Sequence, residues 1–186
     1  MKRIEINAED FIVQPHKLWS RDWLLLGAGD PEKGNCNAMT VGWGSFGTMW
    51  GKPFAMIVVR PQRHTASLID NGDAFTLSAF PEEYRAALQF CGSKSGKDIA
   101  DKIAQAGLTA EACSVAAPAF AEAELVIECH KIFESVMTED QFIDKANLEQ
   151  WYPQKDLHRI WFGEIVRITG TEKYLAKISS VTSRTR

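Results

Sequence analysis

The feature that most constrains this chain is a continuous apolar run at residues 54–59 (FAMIVV), which ends at Arg60-Pro61. Six apolar residues are far too few to cross a bilayer. A short apolar run bounded by a turn signal is typical of a strand that is buried on both faces. The run therefore predicts one strand of a β-rich core.

Other segments also have the composition or alternation of strands. They are residues 23–26, 38–43, 74–80, 124–137 and 157–169. In residues 124–137, alternation puts Leu125, Ile127, Cys129 and Phe133 on one predicted face.

The middle of the chain is predicted to be helical. Residues 81–84 (PEEY) resemble a helix start, with proline and acidic residues in the first turn, and this helix runs toward Cys91-Gly92. A second helical stretch has apolar residues at positions 99, 103 and 106 and ends at Gly107. Strands on both sides of one short helical insert predict a mainly β protein with a barrel-like core.

Composition and charge narrow the class further. With 45% hydrophobic residues and no repeat or linker, residues 1–186 are expected to form a single domain with a flexible tail at 179–186. A net charge of −3 gives no general attraction to nucleic acid or anionic membranes, so any anion site must be built locally. The first fifteen residues lack a signal-like apolar core, which points to a cytoplasmic protein. Neither C-x-x-C nor H-x-x-x-H spacing occurs, so no metal site is expected.

Two glycine-containing motifs fail as catalytic signatures. Leu26-Gly27-Ala28-Gly29 lacks the third glycine of the dinucleotide fingerprint, because Glu32 stands in its place. Residues 43–47 (WGSFG) lack the first glycine of a nucleophile elbow. These glycines are interpreted as tight turns and close strand packing.

Three polar clusters are candidates for a binding site. The first is Asn37-Ala38-Met39-Thr40, which leads to Trp43 and Trp50. An amide, a hydroxyl and large apolar rings close together suit a planar heterocycle, which needs apolar faces and hydrogen bonds at its edge. The alternative is an ordinary strand start with a buried tryptophan.

The second cluster is residues 60–65 (RPQRHT), directly after the buried strand. Arg60 and Arg63 could bind a phosphate bidentately, and Thr65 adds a hydroxyl donor. A solvated basic turn is the alternative interpretation.

The third cluster is residues 91–98 (CGSKSGKD). Small residues let backbone N–H groups approach an anion, and Ser93, Lys94 and Ser95 supply further donors. The spacing is not that of a Walker loop. A surface turn between two helices remains the alternative.

Taken in order, these stretches resemble the flavin reductase-like family, specifically proteins of the flavoredoxin type. The resemblance rests on residues 37–47 (NAMTVGWGSFG), 60–65 (RPQRHT), 91–96 (CGSKSG) with Asp101-Lys102 following, 125–130 (LVIECH) and 158–164 (HRIWFGE). It covers about residues 15–169. Any single piece is weak, but the ordered set is specific.

The resemblance implies an FMN-binding split barrel, a Greek-key β-barrel that pairs as a homodimer. It also implies roles by position. The flavin ring would be lined by Asn37, Met39, Thr40 and Trp43; the ribityl phosphate would be held by Arg60, Arg63, Thr65, Ser93, Lys94 and Ser95; and the pocket would be closed by His130 and Phe162. For His130 the alternative is a strand-surface histidine bonded to Glu128 or solvent, and for Phe162 it is an ordinary core position.

The expected function is that of an FMN-dependent oxidoreductase that takes electrons from NADH or NADPH and reduces a flavin or another acceptor. No residue is an obvious general acid or base, which suits chemistry supplied by a cofactor. Two alternatives stay open: a flavoredoxin-like electron carrier with no NAD(P)H site, reduced by a partner protein, and a flavin-binding module without turnover.

Overall fold

The computed structural model describes residues 2–176. The predicted tail at 179–186 lies outside the described residues. No helix in the described part is long and apolar enough to cross a membrane. Within the same range, no group of three or more histidine, cysteine, aspartate or glutamate side chains is arranged to hold a metal ion.

Eight strands form one antiparallel sheet, and two short strands pair separately. The strands are β1 Ile4–Glu5, β2 Leu24–Asp30, β3 Asn35–Val41, β4 Gly44–Met49, β5 Lys52–Val59, β6 Ala74–Ala79, β7 Ala110–Glu111, β8 Ala119–Phe120, β9 Leu125–Val136 and β10 Arg159–Gly170. The order in the large sheet is β3-β2-β6-β9-β10-β5-β4, with β1 paired to the end of β10.

The sheet curls into a barrel because its two edge strands are neighbours along the chain. Between β3 and β4 lie only Gly42 and Trp43. Three Cα–Cα steps of about 3.8 Å cannot span a flat sheet of this width, so the two edges must approach each other. The predicted mainly β, barrel-like fold is confirmed.

The barrel interior is the main hydrophobic core. Its fully buried side chains include Trp161, Phe75, Leu24, Leu77, Ile57 and Ile127. The predicted strand at residues 54–59 lies within β5, where Ala55, Ile57 and Val59 belong to this core. On its other side, Phe54 and Val58 are also buried. A second apolar cluster packs the helical insert against the outside of the sheet through Leu25, Ala38, Leu88, Cys91 and Phe120.

The helices lie mostly in the middle of the chain. They are α1 Pro15–Lys17, α2 His64–Asn71, α3 Arg85–Ser93, α4 Lys102–Gln105 and α5 Lys145–Trp151, with single 3₁₀ turns at Glu82–Tyr84, Glu139–Gln141 and Glu172–Tyr174 and a π turn at Leu18–Asp22. The helix predicted from residue 81 is confirmed as a 3₁₀ turn followed by α3. The next predicted helix is shorter than expected, because Asp101 has a left-handed backbone (φ 49°) and α4 begins only after it.

Several further features differ from the sequence predictions. Strand β4, helices α2 and α5, and the short elements β1, β7, β8 and α1 were not predicted. The predicted face of Phe133 is wrong, since β9 carries a bulge: Gly163 pairs with Lys131 while Phe162 pairs with Phe133. The extra residue between them reverses the alternation, so that Phe133 is exposed while Cys129 is buried.

Candidate functional site

A small cavity of about 230 Å³ lies where β3, the start of α2 and the loop after α3 meet. We call it the cradle. Its lining residues are Asn37, Met39, Arg60, Gln62, Arg63, His64, Thr65, Lys94, Ser95, Gly96 and Lys102. Seven of these are predicted site residues, drawn from all three sequence clusters. The fold therefore brings the three clusters to one place.

Local backbone geometry places the polar side chains of the cradle. After β5, the N–H of Arg63 donates to the carbonyl of Arg60 (3.1 Å), and this turn starts α2 at His64. Thr65 is thereby buried in the first turn of α2, where its Oγ1 accepts a hydrogen bond from Asn37 Nδ2 (2.9 Å). Gly96 closes the opposite side, and a Cβ there would come within 2.5 Å of Asn37 Oδ1.

Three basic side chains of the cradle lack an acidic partner among the residues that the structure describes. Within residues 2–176, Arg63, Lys94 and Lys102 form no salt bridge. Arg63 donates only to the carbonyl of Gly92 (3.0 Å). The chain as a whole is acidic, so this local excess of positive charge is a specific feature of the site.

Lys102 is the most unusual of the three, since it is only 5% exposed. Its Nζ donates to the carbonyls of Ala38 (2.8 Å) and Cys91 (2.7 Å). Burial lowers the pKa of Lys102, and the nearby charge of Arg63 lowers it further. An ammonium group has three donors, so one remains for a ligand. A buried cation without a carboxylate is costly and suggests that an anion compensates for it.

Arg60 lines the cradle but is bound to the segment between β9 and β10. It forms a salt bridge with Asp156, donates to the carbonyl of Trp151 (2.8 Å) and lies over the ring of Tyr152 (5.1 Å). Gln62 donates to the same carboxylate (2.7 Å). The hydrogen bonds from Gln62 and Arg60 hold the pKa of Asp156 below its usual range. The charge of Arg60 is therefore largely neutralised.

Two further predicted residues lie beside the cradle. Thr40 is on the opposite face of β3 from Met39, and its hydroxyl donates to the carbonyl of Leu88 in α3. Ser93 shares a neighbouring open cleft with Thr40, and its hydroxyl donates to the carbonyl of Phe90 (3.3 Å). Neither side chain lines the cradle.

Trp43 lies in the link between the two edge strands and is 41% exposed. Its ring packs against Trp151 and His158, each with a centroid distance of 5.1 Å. His158 Nδ1 is hydrogen-bonded to the hydroxyl of Tyr152 (2.8 Å). Burial lowers the pKa of His158 to about 4, so this imidazole is neutral at physiological pH. The segment after β9 thus forms an aromatic wall beside Trp43.

His130 and Phe162 do not line the cradle. His130 is exposed on β9, opposite Ala74 and Glu164. Phe162 is on the outer face of β10, where it packs against Phe54 and Phe133 (ring centroids 5.2 and 5.6 Å).

The sequence analysis missed four residues of the cradle. Gln62, His64 and Gly96 lie inside the second and third sequence clusters, but nothing in the sequence indicated that they line a cavity. Lys102 was among the residues that carry the family resemblance, but no role was predicted for it, because a lysine on a short helix is normally exposed. Only the tertiary fold, which covers it with β3 and the end of α3, makes it part of the site.

Comparison with known proteins identifies the fold. A sequence model of the flavin reductase like domain matches residues 21–177. No protein of curated function matches the sequence significantly.

Several solved structures have a similar fold. The FMN-binding domain of a flavin reductases-like enzyme from Shewanella baltica OS155 is 16% identical, with a TM-score of 0.64 over 91% of this chain and 77% of that one. The flavoredoxin of Desulfovibrio vulgaris (Miyazaki F) is 23% identical, with a TM-score of 0.64 over 87% and 78%. A putative flavin reductase with a split barrel domain from Shewanella frigidimarina NCIMB 400 is 18% identical, with a TM-score of 0.61 over 91% and 76%. At these identities the likeness concerns the fold alone, and it confirms the predicted split barrel.

Proposed function

The chain belongs to the flavin reductase-like family, and on this basis we propose that it binds FMN without a covalent link and acts as an oxidoreductase. The proposed electron donor is NADH or NADPH, and the acceptor is a flavin or another oxidant. The observation that carries the proposal is the cradle, where three basic side chains with no acidic partner among the described residues meet neutral donors beside the middle of β3. A phosphate group is the ligand that this donor set fits.

Five side chains of the cradle have a proton to offer to a phosphate. Thr65 Oγ1 accepts from Asn37, so its own hydroxyl hydrogen is available. Ser95 Oγ accepts from the backbone N–H of Lys97 (3.1 Å), so the hydroxyl hydrogen of Ser95 is available as well. Arg63 and Lys102 add charge-assisted donors. We infer that these residues, with Lys94, hold the phosphate of FMN.

The β3 strand would place the ring. Met39 lines the cradle, and Trp43 follows two residues after the end of β3. FMN, when bound, supplies the redox chemistry, since it accepts a hydride and passes electrons on. The protein's own residues bind the phosphate, orient the ring and, through the aromatic wall of Trp43, Trp151 and His158, cover one approach to it.

The test begins with the visible spectrum of the protein as purified. We expect flavin absorption bands that are lost to the supernatant on heat denaturation, and the released compound to be FMN. An apoprotein with no affinity for FMN would overturn the proposal. Anaerobic stopped-flow mixing with NADH and with NADPH then tests the donor. Bleaching by either supports a reductase, whereas bleaching by dithionite alone supports an electron carrier reduced by a partner protein.

We also propose that the protein is a homodimer. On the outside of the barrel, Trp50, Phe133 and Phe162 form a continuous aromatic patch that packs on the buried ring of Phe54, with Trp50 61% and Phe133 47% exposed. Contiguous exposed apolar surface of this kind is typical of an interface. The patch would place Phe162 in the dimer interface, where the family resemblance puts part of the flavin pocket. Sedimentation should give twice the mass of 20.8 kDa, and Trp50→Ser with Phe133→Ser should give the monomer. A wild-type monomer with FMN bound would contradict the proposal.

A further inference from the structure

The connection between β9 and β10, residues 137–158, is long for a compact domain. It is held against the barrel rather than left free. Asp156 forms a salt bridge with Arg60, and the hydroxyl of Tyr152 is hydrogen-bonded to His158 Nδ1 (2.8 Å). A long connection that the fold keeps in place is typically functional, since such segments carry binding residues.

Ile143 is the most exposed large apolar residue in this connection, and its side chain lies fully in solvent. Two capped elements fix its position. Before it, Thr138 and Gln141 form a capping box around a 3₁₀ turn. After it, Asp144 begins α5 by accepting a hydrogen bond from the N–H of Ala146 (3.0 Å). An isoleucine held in water contributes little to the stability of the chain by itself, whereas its burial against a partner would be favourable.

Two tryptophans extend this apolar surface toward the proposed ring site. The ring of Phe142, next to Ile143, packs against Tyr152 (centroid distance 5.6 Å), and the neighbouring Trp151 packs against Trp43 (5.1 Å). Trp43 and Trp151 are 41% and 44% exposed. We call Trp43, Ile143 and Trp151 the exposed apolar face. A protein that covers this face would lie beside the ring of a flavin bound along β3.

Negative charge surrounds the exposed apolar face. Residues 137–156 contain five acidic and two basic side chains, whereas the rest of the chain contains equal numbers of both. Two of the acids are paired, Asp156 with Arg60 and Glu139 with Lys155. The other three are exposed and form no salt bridge within residues 2–176: Asp140, Asp144 and Glu149. The rim of the face is therefore negative.

The charge of the rim decides which partner fits. A second copy of the chain would bring the same acidic rim against itself in a two-fold pair, which like-charge repulsion disfavours. Nucleic acid and anionic membranes are repelled for the same reason. A protein with a basic rim around an apolar centre matches both the charge and the exposed apolar face.

We propose that the exposed apolar face and its acidic rim form a docking surface for a redox protein with a basic surface, which accepts electrons from the flavin site. The inference rests on the proposed function, because a flavin beside Trp43 is what gives a docked protein electrons to accept. The acidic rim steers the partner to the site, and the three side chains of the exposed apolar face make the contact.

The experiment uses cytochrome c, a small haem protein with a basic surface, as the probe. Ferric cytochrome c is titrated into the FMN-loaded protein by isothermal calorimetry at an ionic strength of about 20 mM, where we expect saturable binding. At about 200 mM the dissociation constant should rise about tenfold or more, because the charges are then screened. A redox protein with an acidic surface, a plant-type [2Fe–2S] ferredoxin, should not bind under either condition.

Matched variants test whether binding occurs at the rim. Glu139→Lys with Glu149→Lys reverses two of its charges and should weaken binding about tenfold or more. Glu32→Lys with Asp73→Lys makes the same change in net charge at the turn between β2 and β3, which lies at the far end of β3 from Trp43; both of these residues are exposed, and Asp73 is close enough to act on the neighbouring lysine of that turn. This control should leave the affinity within about threefold of the wild type.

Two further measurements test the apolar contact and the electron transfer. Ile143→Ser keeps every charge and should weaken binding about threefold or more, since it removes apolar surface from the centre of the face. Electron transfer is followed anaerobically after the bound flavin has been reduced by dithionite and the excess removed. Each flavin that carries two electrons should reduce two ferric haems to the ferrous state, with release of two protons. The rate constant at low salt should fall about tenfold in the rim variant and stay near that of the wild type in the control.

The inference is overturned if cytochrome c does not bind, if the rim variant and its control lose affinity equally, if Ile143→Ser binds as tightly as the wild type, or if the complex transfers no electrons. Circular dichroism of each variant is recorded first, so that only folded proteins are compared. A failure here with normal FMN binding leaves the proposed function intact. If FMN itself does not bind, the proposed function fails, and the titration of the flavin-free protein still decides whether the exposed apolar face docks a basic protein.

Discussion

Replacing Arg63 by alanine tests the phosphate site most directly. In the free protein the guanidinium makes only one hydrogen bond, to the carbonyl of Gly92, and has no acidic partner among the described residues. Its other N–H groups are therefore available to a phosphate in the cradle. Arg63 is an exposed residue, so solvent screening limits its contribution to about one charge-assisted hydrogen bond. Such a bond is worth about 1.5–3 kcal/mol, and FMN affinity should fall about 10- to 150-fold.

The assay compares two ligands on the same protein. The flavin-free variant is titrated with FMN and with riboflavin, which has no phosphate, and binding is followed by the quenching of flavin fluorescence. FMN should lose affinity as calculated, while riboflavin should bind as it does to the wild type. Lys97→Ala is the matched control: it removes a positive charge from the loop after α3, close enough to act on His64, but Lys97 does not line the cradle. This control should leave both affinities almost unchanged.

Two results would refute this reasoning. Equal losses for FMN and riboflavin would mean that Arg63 acts through the fold, since its bond to Gly92 also fixes the end of α3. Equal losses in Arg63→Ala and Lys97→Ala would mean that only the general positive potential matters. Circular dichroism of each variant is recorded first, so that an unfolded protein is not mistaken for a binding defect.

Three other predictions concern neighbouring groups. Asp156→Asn releases the charge of Arg60, and FMN affinity should rise about two- to fivefold at constant riboflavin affinity; a fall in FMN affinity would show that Asp156 positions Arg60 as a ligand. Thr65→Val leaves the buried Asn37 amide without its acceptor and should cost about 1–3 kcal/mol in urea unfolding, whereas Thr65→Ser should cost much less. The pKa of His158 falls from its ordinary 6.5 to about 4 on folding, so the unfolded chain binds more protons in this window and stability is lost as the pH falls through it. The free energy of unfolding should drop by about 2 kcal/mol between about pH 7.5 and about pH 5, and His158→Gln should flatten this slope, an effect that an unchanged slope would contradict.

The sequence predicts correctly those strands and helices that are determined by the residues within them. Residues 54–59 are apolar without interruption and form a strand buried on both sides. The helix start at Pro81 depends on local backbone preferences, and it is also found. Strand β4 was missed because it contains two glycines, which favour turns. Gly44 is required there by a distant contact, as a Cβ at this position would lie 2.4 Å from the ring of Trp19.

The site could be predicted only as separate pieces. The sequence indicates which residues suit a ring or a phosphate, and the fold decides which of them meet. Asn37 and Thr65 are 28 residues apart, yet their hydrogen bond joins two of the predicted clusters. Thr40 is next to Met39, yet alternation along β3 places it on the other face. There its hydroxyl donates to the carbonyl of Leu88 in α3. Contacts of this kind depend on strand register and helix packing, which composition does not encode.

Arg60 and Arg63 illustrate the same limit within one turn. They are identical in type, three residues apart, and equally suited to a phosphate by sequence. Asp156, which is 96 residues from Arg60 along the chain, makes the difference. It binds Arg60 and Gln62 and neutralises one positive charge of the cradle, whereas Arg63, Lys94 and Lys102 have no acidic partner within residues 2–176. A fully ionised phosphate carries about two negative charges. The three cations therefore exceed the negative charge of the phosphate. Arg60 is not needed for that balance and instead holds the segment after β9, with its aromatic side chains, against Trp43.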